Sequence, residues 1–189
     1  HAISPRPPSP DAQVRRELTE LHRAAGGRLD GLVLDLRGNP GGEVQEALRV
    51  AELFVAEGVL VRTRGRGQVI LDEERAHKAG TDLSLPIVIL QDEASASAAE
   101  LLAAALRDNG RAEIMGRTSH GKGTVQRLYG LPDGGQLRLT IARYYGPDDR
   151  QIDGRGVVPD LPLSLSDLNA AIALAEGRLL ERLVRANAG

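Results

Sequence analysis

Cysteine is absent from this chain of 189 residues, which excludes thiol catalysis, disulfides and zinc–thiolate sites and leaves the redox compartment open. Tryptophan is absent too, and aromatic residues make up only 2%: Phe54, Tyr129, Tyr144 and Tyr145. The core therefore has to be built from Leu, Ile, Val and Ala, and a platform for stacking nucleic-acid bases is missing. Excess charge is lacking as well. With 24 basic and 26 acidic residues the net charge is −2, so nothing draws the whole molecule toward nucleic acid or an anionic membrane. No apolar run approaches the roughly 18 residues that span a bilayer. The start, HAISPRPPSP, is polar and proline-rich rather than a signal peptide, so an exported form would have shed its signal.

What is present fits one domain of ordinary size, 20.2 kDa with 41% hydrophobic and 26% charged residues. Residues 1–10 carry four prolines and read as an extended arm or linker, with a catalytic-sized core over 11–189. Val14, Leu18 and Leu21 at helical spacing predict a helix that ends at Gly26-Gly27. Short apolar runs at 31–36 and 86–90 predict buried strands, and AAELLAAALRD at 98–108 is strong helix-forming sequence. A helix over 43–56, strands over 59–63, 111–115, 124–128 and 137–143, and a closing helix over 168–186 complete the pattern. Val69–Leu71 pairs with 59–63 across the Gly65-Arg66-Gly67 turn, and Asp133-Gly134-Gly135 makes a hairpin turn. The cluster Arg62, Arg64, Arg66 reads as a solvated turn or strand end. Strand, glycine turn and helix in alternation, with antiparallel pairs later, give an α/β or mixed domain. In such sheets ligands bind beyond the carboxyl ends of the strands, which here are the turns Arg37–Gly42 and Asp92–Ser97.

Ser97 followed three residues later by Glu100 is a capping box. The same geometry presents a serine at a helix amino terminus, where free N–H groups favour a developing oxyanion. Lys122, between Gly121 and Gly123, is on its own a solvated turn lysine. Buried among apolar strand residues such as Val125 and Ile114, its amine would lose basicity and serve as general base to a serine. Asp35 and Arg37 read as an ion pair fixing the glycine turn, and Glu100 as structural. His1, His22, His77 and His120 share no metal-ligand spacing, so neither metal nor cofactor is expected.

Taken in order, LDLRGNPGG, SASAAE, GRTSHGKGTVQ, LTIARYYGP and GRGVVPD resemble the carboxyl-terminal processing peptidases, also called tail-specific proteases. These are Ser/Lys peptidases of the crotonase-like superfamily, and the resemblance runs from about Leu18 to Leu163. It implies an α/β fold, a crotonase-like (ClpP/crotonase) mixed sheet core with flanking helices. It further implies Ser97 as nucleophile, rather than Ser95, with Lys122 as general base 25 positions on and Gln126 orienting the amine. The Ala98 N–H and a glycine N–H of the N-P-G-G turn, Gly41 in preference to Gly42, would form the oxyanion hole. Lys122 would take the Ser97 proton, Ser97 would attack a peptide carbonyl, and water would later release the acyl group. Each oxyanion donor would lower the barrier by about 3 kcal/mol.

Two departures qualify that expectation. Ser119 and His120 stand where the family usually has threonine and an aromatic residue, which opens a Ser/His alternative with His120 as base. The family normally carries a PDZ module that holds the substrate's carboxyl terminus by strand addition. Ten proline-rich residues leave no room for one, so the expectation is a PDZ-less core, active or else a non-cleaving peptide-binding core or inactive fragment. An acyl-CoA-type enzyme sharing the fold needs no Ser/Lys pair. Expected partners are unfolded or carboxyl-terminal segments of proteins, no nucleic acid, and a homo-oligomer or adaptor; the resemblance implies a periplasmic, otherwise extracytoplasmic or membrane-associated location.

Overall fold

A computed structural model describes residues 9–77, 85–164 and 168–187 of the chain. Besides a short 3-10 turn at Arg66–Gln68, twelve α-helices and β-strands follow in chain order among the described residues. They are α1 (Pro10–Ala24), β1 (Leu32–Asp35), α2 (Val44–Ala51), β2 (Gly58–Arg64), β3 (Ile70–Ala76), β4 (Ile87–Gln91), α3 (Ala98–Asp108), β5 (Ala112–Gly116), β6 (Thr124–Gly130), β7 (Gln136–Tyr145), β8 (Leu161–Pro162) and α4 (Leu168–Asn187). The strands form two four-stranded sheets, a parallel one in the order β1-β4-β5-β8 and an antiparallel one in the order β3-β2-β7-β6.

The apolar run in β4 explains the layering. A parallel strand covered on both faces needs no polar side, and Ile87, Val88, Ile89 and Leu90 are all fully buried. Strand alternation splits them: Ile87 and Ile89 pack with α2 and α3 residues such as Leu48, Leu101 and Leu106, while Val88 and Leu90 pack with Met115 and with Ala171, Ala175 and Leu179 of α4. Helix α3 lies inside the molecule, every residue from Ala98 to Leu106 being buried, so its alanines are close-packing positions and not surface helix formers. Arg178 of α4 grips Glu113 of β5 with two hydrogen bonds of 2.7 and 2.8 Å, fastening the closing helix to the sheet.

Several elements differ from their sequence-based bounds. The second helix stops at Ala51 and not at residue 56, because the hydrogen bonds tighten to three-residue spacing (Leu53 N–H to Val50 O, Phe54 N–H to Ala51 O) and turn Leu53, Phe54 and Val55 into the core. Strand β3 continues through the acidic run to Ala76, and this corrects the reading of the arginine cluster. Arg62 pairs with Glu73 at 2.7 Å and donates to Pro147 O, while Arg64 grips Asp149 and lies 5.2 Å above the Tyr145 ring. Arg64 does close β2 as a strand end and Arg66 is exposed, but the side chains of Arg62 and Arg64 are paired and not solvated. Strand β8, two residues long, is too short to leave a pattern. Residues 1–8 of the proline-rich arm lie outside the described residues, and Pro10 takes the first position of α1, where its missing N–H costs nothing.

Replacing Ile89 with alanine, which empties a fully buried site, is expected to lower unfolding free energy by about 2–5 kcal/mol in denaturant titrations. Leu180→Ala, on the exposed side of α4, should stay within about 0.5 kcal/mol of the parent.

Candidate active site

Strands β1, β4 and β5 are parallel neighbours, so their carboxyl ends deliver three loops to one edge of the sheet: 36–42, 92–97 and 117–123. Backbone hydrogen bonds lock the loops together. Ala96 N–H donates to Asn39 O at 2.9 Å, and His120 N–H donates to Ser95 O at 2.9 Å. The Asp92 carboxylate accepts from Gly38 N–H at 2.9 Å and from Ser95 N–H at 3.1 Å. Ser95 is buried, and its hydroxyl donates to Leu36 O at 2.7 Å, so it is a strut between loops.

Ser97 differs from Ser95 in every respect that matters for chemistry. It is half-buried and sits at φ 56°, ψ −122°, a backbone conformation that a residue with a β-carbon adopts only under constraint. The next residue, Ala98, opens α3. The capping-box pair is in place and its glutamate half forms, Ser97 N–H donating to Glu100 Oε2 at 2.8 Å, whereas Ser97 makes no side-chain cap hydrogen bond.

Glu100 does more than cap. Its side chain is completely buried, and its carboxylate accepts four hydrogen bonds. Oε1 receives the Ser119 hydroxyl at 2.5 Å and Gly121 N–H at 2.7 Å; Oε2 receives both Ser97 N–H and Lys122 N–H at 2.8 Å. A single oxygen thus holds the backbones of Ser97 and Lys122 side by side. The positive end of α3 adds favourable field at the same carboxylate.

The glycines flanking Lys122 are there for close approach. A β-carbon on Gly123 would stand 2.5 Å from Asp153 N, and one on Gly121 would stand 2.9 Å from Gly156 N. Gly121 O accepts from Gly154 N–H at 2.8 Å, and the Ser119 hydroxyl accepts Val157 N–H at 2.7 Å. The G-K-G and G-R-G-V-V motifs are therefore two halves of one backbone contact. Ser119, at the position of the family threonine, links that contact to Glu100.

Gly41 packs against the Ser97 turn: with φ +91°, its β-carbon would stand 2.6 Å from Ala96 O and 2.8 Å from Ala98 N. Its N–H donates to Asn39 Oδ1 at 2.9 Å. Among the described residues the N–H groups of Ala98 and Gly42 have no hydrogen-bond partner, whereas that of Gly41 is taken by Asn39. Beside them opens a cavity of about 450 Å³ lined by apolar residues such as Val14, Leu36 and Leu102 together with Asp35, Asn39, Glu43 and Glu46. The Arg37 guanidinium bonds both Asp35 oxygens, at 2.8 and 2.5 Å, and this holds the Asp35 carboxyl below the ordinary carboxylate range.

Lys122 and Gln126 are exposed, and among the described residues no hydrogen bond joins Ser97 Oγ to Lys122 Nζ. The apolar burial expected for the lysine between Val125 and Ile114 is thus not found in this arrangement. His120 is exposed as well, its backbone fixed to Ser95. Sequence reasoning missed Ser119, Asn39 and Asp92; their polar side chains within glycine-rich turns were the available signal.

The model of peptidase family S41 matches residues 8–163. The chain belongs to peptidase family S41. A carboxy-terminal-processing protease of Bartonella bacilliformis is 44% identical over 134 residues, 71% of this chain and 31% of that protein. One from a Picosynechococcus species is 37% identical over 148 residues, 78% and 34% of the two chains. Among solved structures, a photosystem II D1 C-terminal processing protease superposes with a TM-score of 0.78 at 35% identity, covering 88% of this chain and 43% of that one. This S41 chain spans about a third of the length of the curated relatives it matches.

Glu100→Gln puts an amide NH₂ against backbone donors in this S41 core. It is expected to cost about 1–3 kcal/mol of stability in denaturant titrations. Because the lowered Asp35 carboxyl is ionised more readily folded than unfolded, its pair with Arg37 stabilises above the ordinary carboxylate pKa. That contribution is lost as pH falls through the lowered value, so thermal melts of Asp35→Asn should decline less steeply on the acid side than those of the parent.

Proposed function

We propose that the protein is a serine endopeptidase of the Ser/Lys type that cleaves unfolded or carboxyl-terminal segments of other proteins through an acyl-enzyme. The observation that carries this is the shared Glu100 oxygen, which bonds the amides of Ser97 and Lys122 at 2.8 Å each. Ser97 attacks the substrate carbonyl, and Lys122 takes the hydroxyl proton and later gives it to the leaving amine. Gln126, uncharged, holds the lysine amine without raising its basicity. The free N–H groups of Ala98 and Gly42 receive the oxyanion, with about 3 kcal/mol of barrier lowering from each donor. The 450 Å³ cavity beside them takes an apolar substrate side chain next to the scissile bond. The same reading puts the protein on the extracytoplasmic side, periplasmic or membrane-associated.

The exposed lysine favours a second statement within this reading: the structure is a resting arrangement. Both glycines around Lys122 are packed against 153–156 and its N–H is tied to Glu100, so the loop is already in place. On this reading the lysine side chain turns toward Ser97 in the active arrangement.

Ser97→Ala and Lys122→Ala are each expected to lower kcat/KM on casein or an unfolded peptide by at least a factor of about 10²–10⁴. The double variant should be little worse than either single one, as befits groups acting as a unit. Activity that survives Lys122→Ala and vanishes in His120→Ala would move the base to the histidine. Peptide binding with no cleavage under any condition would leave a binding core and end the peptidase reading.

A further inference from the structure

Strand β6 is the outermost strand of its sheet, and its open edge continues the active-site loop. Leu131 N–H donates to Gly135 O at 2.8 Å, and Gly123 O accepts Tyr144 N–H at 2.8 Å. The one register shift between β6 and β7 places the extra residue on β7, where Ala142 and Thr140 pair with Val125 and Gln126. Odd-numbered residues of β6 therefore turn their N–H and C=O toward β7, and Thr124, Gln126, Leu128 and Gly130 turn theirs outward. Side chains alternate likewise. Tyr129 stands opposite Leu137, and Arg127 opposite Leu139, on one face of the ribbon. Tyr129, Leu137 and Leu139 are 40%, 43% and 45% exposed, an apolar strip without cover among the described residues beside a row of unpaired backbone groups.

Edge strands are usually blunted by proline, charge or a bulge; β6 has no proline, lysine or bulge of its own, and Arg127 is its one charged residue. We propose that this edge is a second binding site for the polypeptide substrate, which adds to β6 as an extended strand with apolar residues at alternate positions. The identity of the occupant rests on the peptidase reading, and continuity supports it: β6 starts two residues after Lys122 and carries Gln126, so a chain laid along it leads into the site. Seven residues at about 3.3 Å each give a platform roughly 23 Å long. A second copy fits less well. Two β6 edges related by a twofold axis would bring Arg127, the one charge in the middle of the strand, close to its own copy.

Leu128→Pro removes one outward N–H and leaves the bonds to β7 intact, since proline is tolerated at a free strand edge. In the full-length protein carrying Ser97→Ala, which separates binding from cleavage, a fluorescent twenty-residue unfolded peptide with alternating leucines is titrated by anisotropy. Adding Leu128→Pro is expected to weaken binding at least tenfold. N-methylating alternate amides of the peptide, which needs no change to the protein, should weaken binding tenfold in one phase and leave the other phase within about twofold. Equal affinity with and without Leu128→Pro, or equal effects in both phases, overturns the proposal, as does a change in oligomeric state by sedimentation with peptide affinity unaltered. A tetrapeptide ester, too short to reach β6, reports separately on the peptidase reading: no Ser97-dependent hydrolysis of it would remove that reading while the binding result stands on its own.

Discussion

A carboxylate taken wholly out of water has to be satisfied by the protein or it unfolds the region around it, and Glu100 is such a group. Its four donors come from three places in the chain: the turn before α3, the Ser119 hydroxyl, and the backbone of Gly121 and Lys122. None of those loops can shift without leaving the charge short of a partner. The cost of burying one carboxylate is thereby converted into a positional constraint on Ser97 and Lys122, 25 apart in sequence, which no apolar contact of the same size would impose with the same directionality.

Everything at the site hangs from that constraint. A strained backbone at Ser97 costs on the order of 1–3 kcal/mol, and the Glu100 bond to its N–H together with the buried start of α3 is what offsets it. Ala98 N–H, at the first position of α3, has no partner among the described residues. On the far side, glycine-only contacts at Gly41, Gly121 and Gly123 let three backbones approach to distances that a β-carbon would forbid. The loops at the parallel sheet's carboxyl ends are thus rigid for a physical reason, although loops in general are the mobile part of a fold.

Much of this was legible from residues alone. The buried runs at 87–90 and the alanine- and leucine-rich 98–108 marked the central strand and central helix, and serine three before glutamate marked the start of α3. What Glu100 does beyond its own helix was not legible, because side-chain bonds to Ser119, Gly121 and Lys122 have no periodic signature. The capping reading, although correct for Ser97 N–H, described only one of its four bonds. The arginine cluster misled for a similar reason: Arg62 and Arg64 find Glu73 and Asp149 through strand pairing and a distant turn, and charge spacing carries no trace of either. Glycines between loop motifs were correctly read as turns, yet their function is close packing of G-K-G on 153–156, which appears only when both segments are placed together.

Rigidity and openness are also divided by region, and the division follows from which groups are saturated. Around Glu100 every backbone donor of 119–122 that faces inward is used, so motion there is confined to side chains, with His120 and Lys122 the exposed ones. Along β6 the reverse holds: half of the backbone groups have no partner among the described residues, and the apolar face of the ribbon is uncovered. On the proposed peptidase reading both properties are needed at once, since a substrate without shape of its own would have to be straightened before Ser97 could meet one particular carbonyl. A saturated centre beside an unsaturated strand edge would meet that requirement with few moving parts, because the backbone bonds completed along the edge would drive the ordering of the substrate.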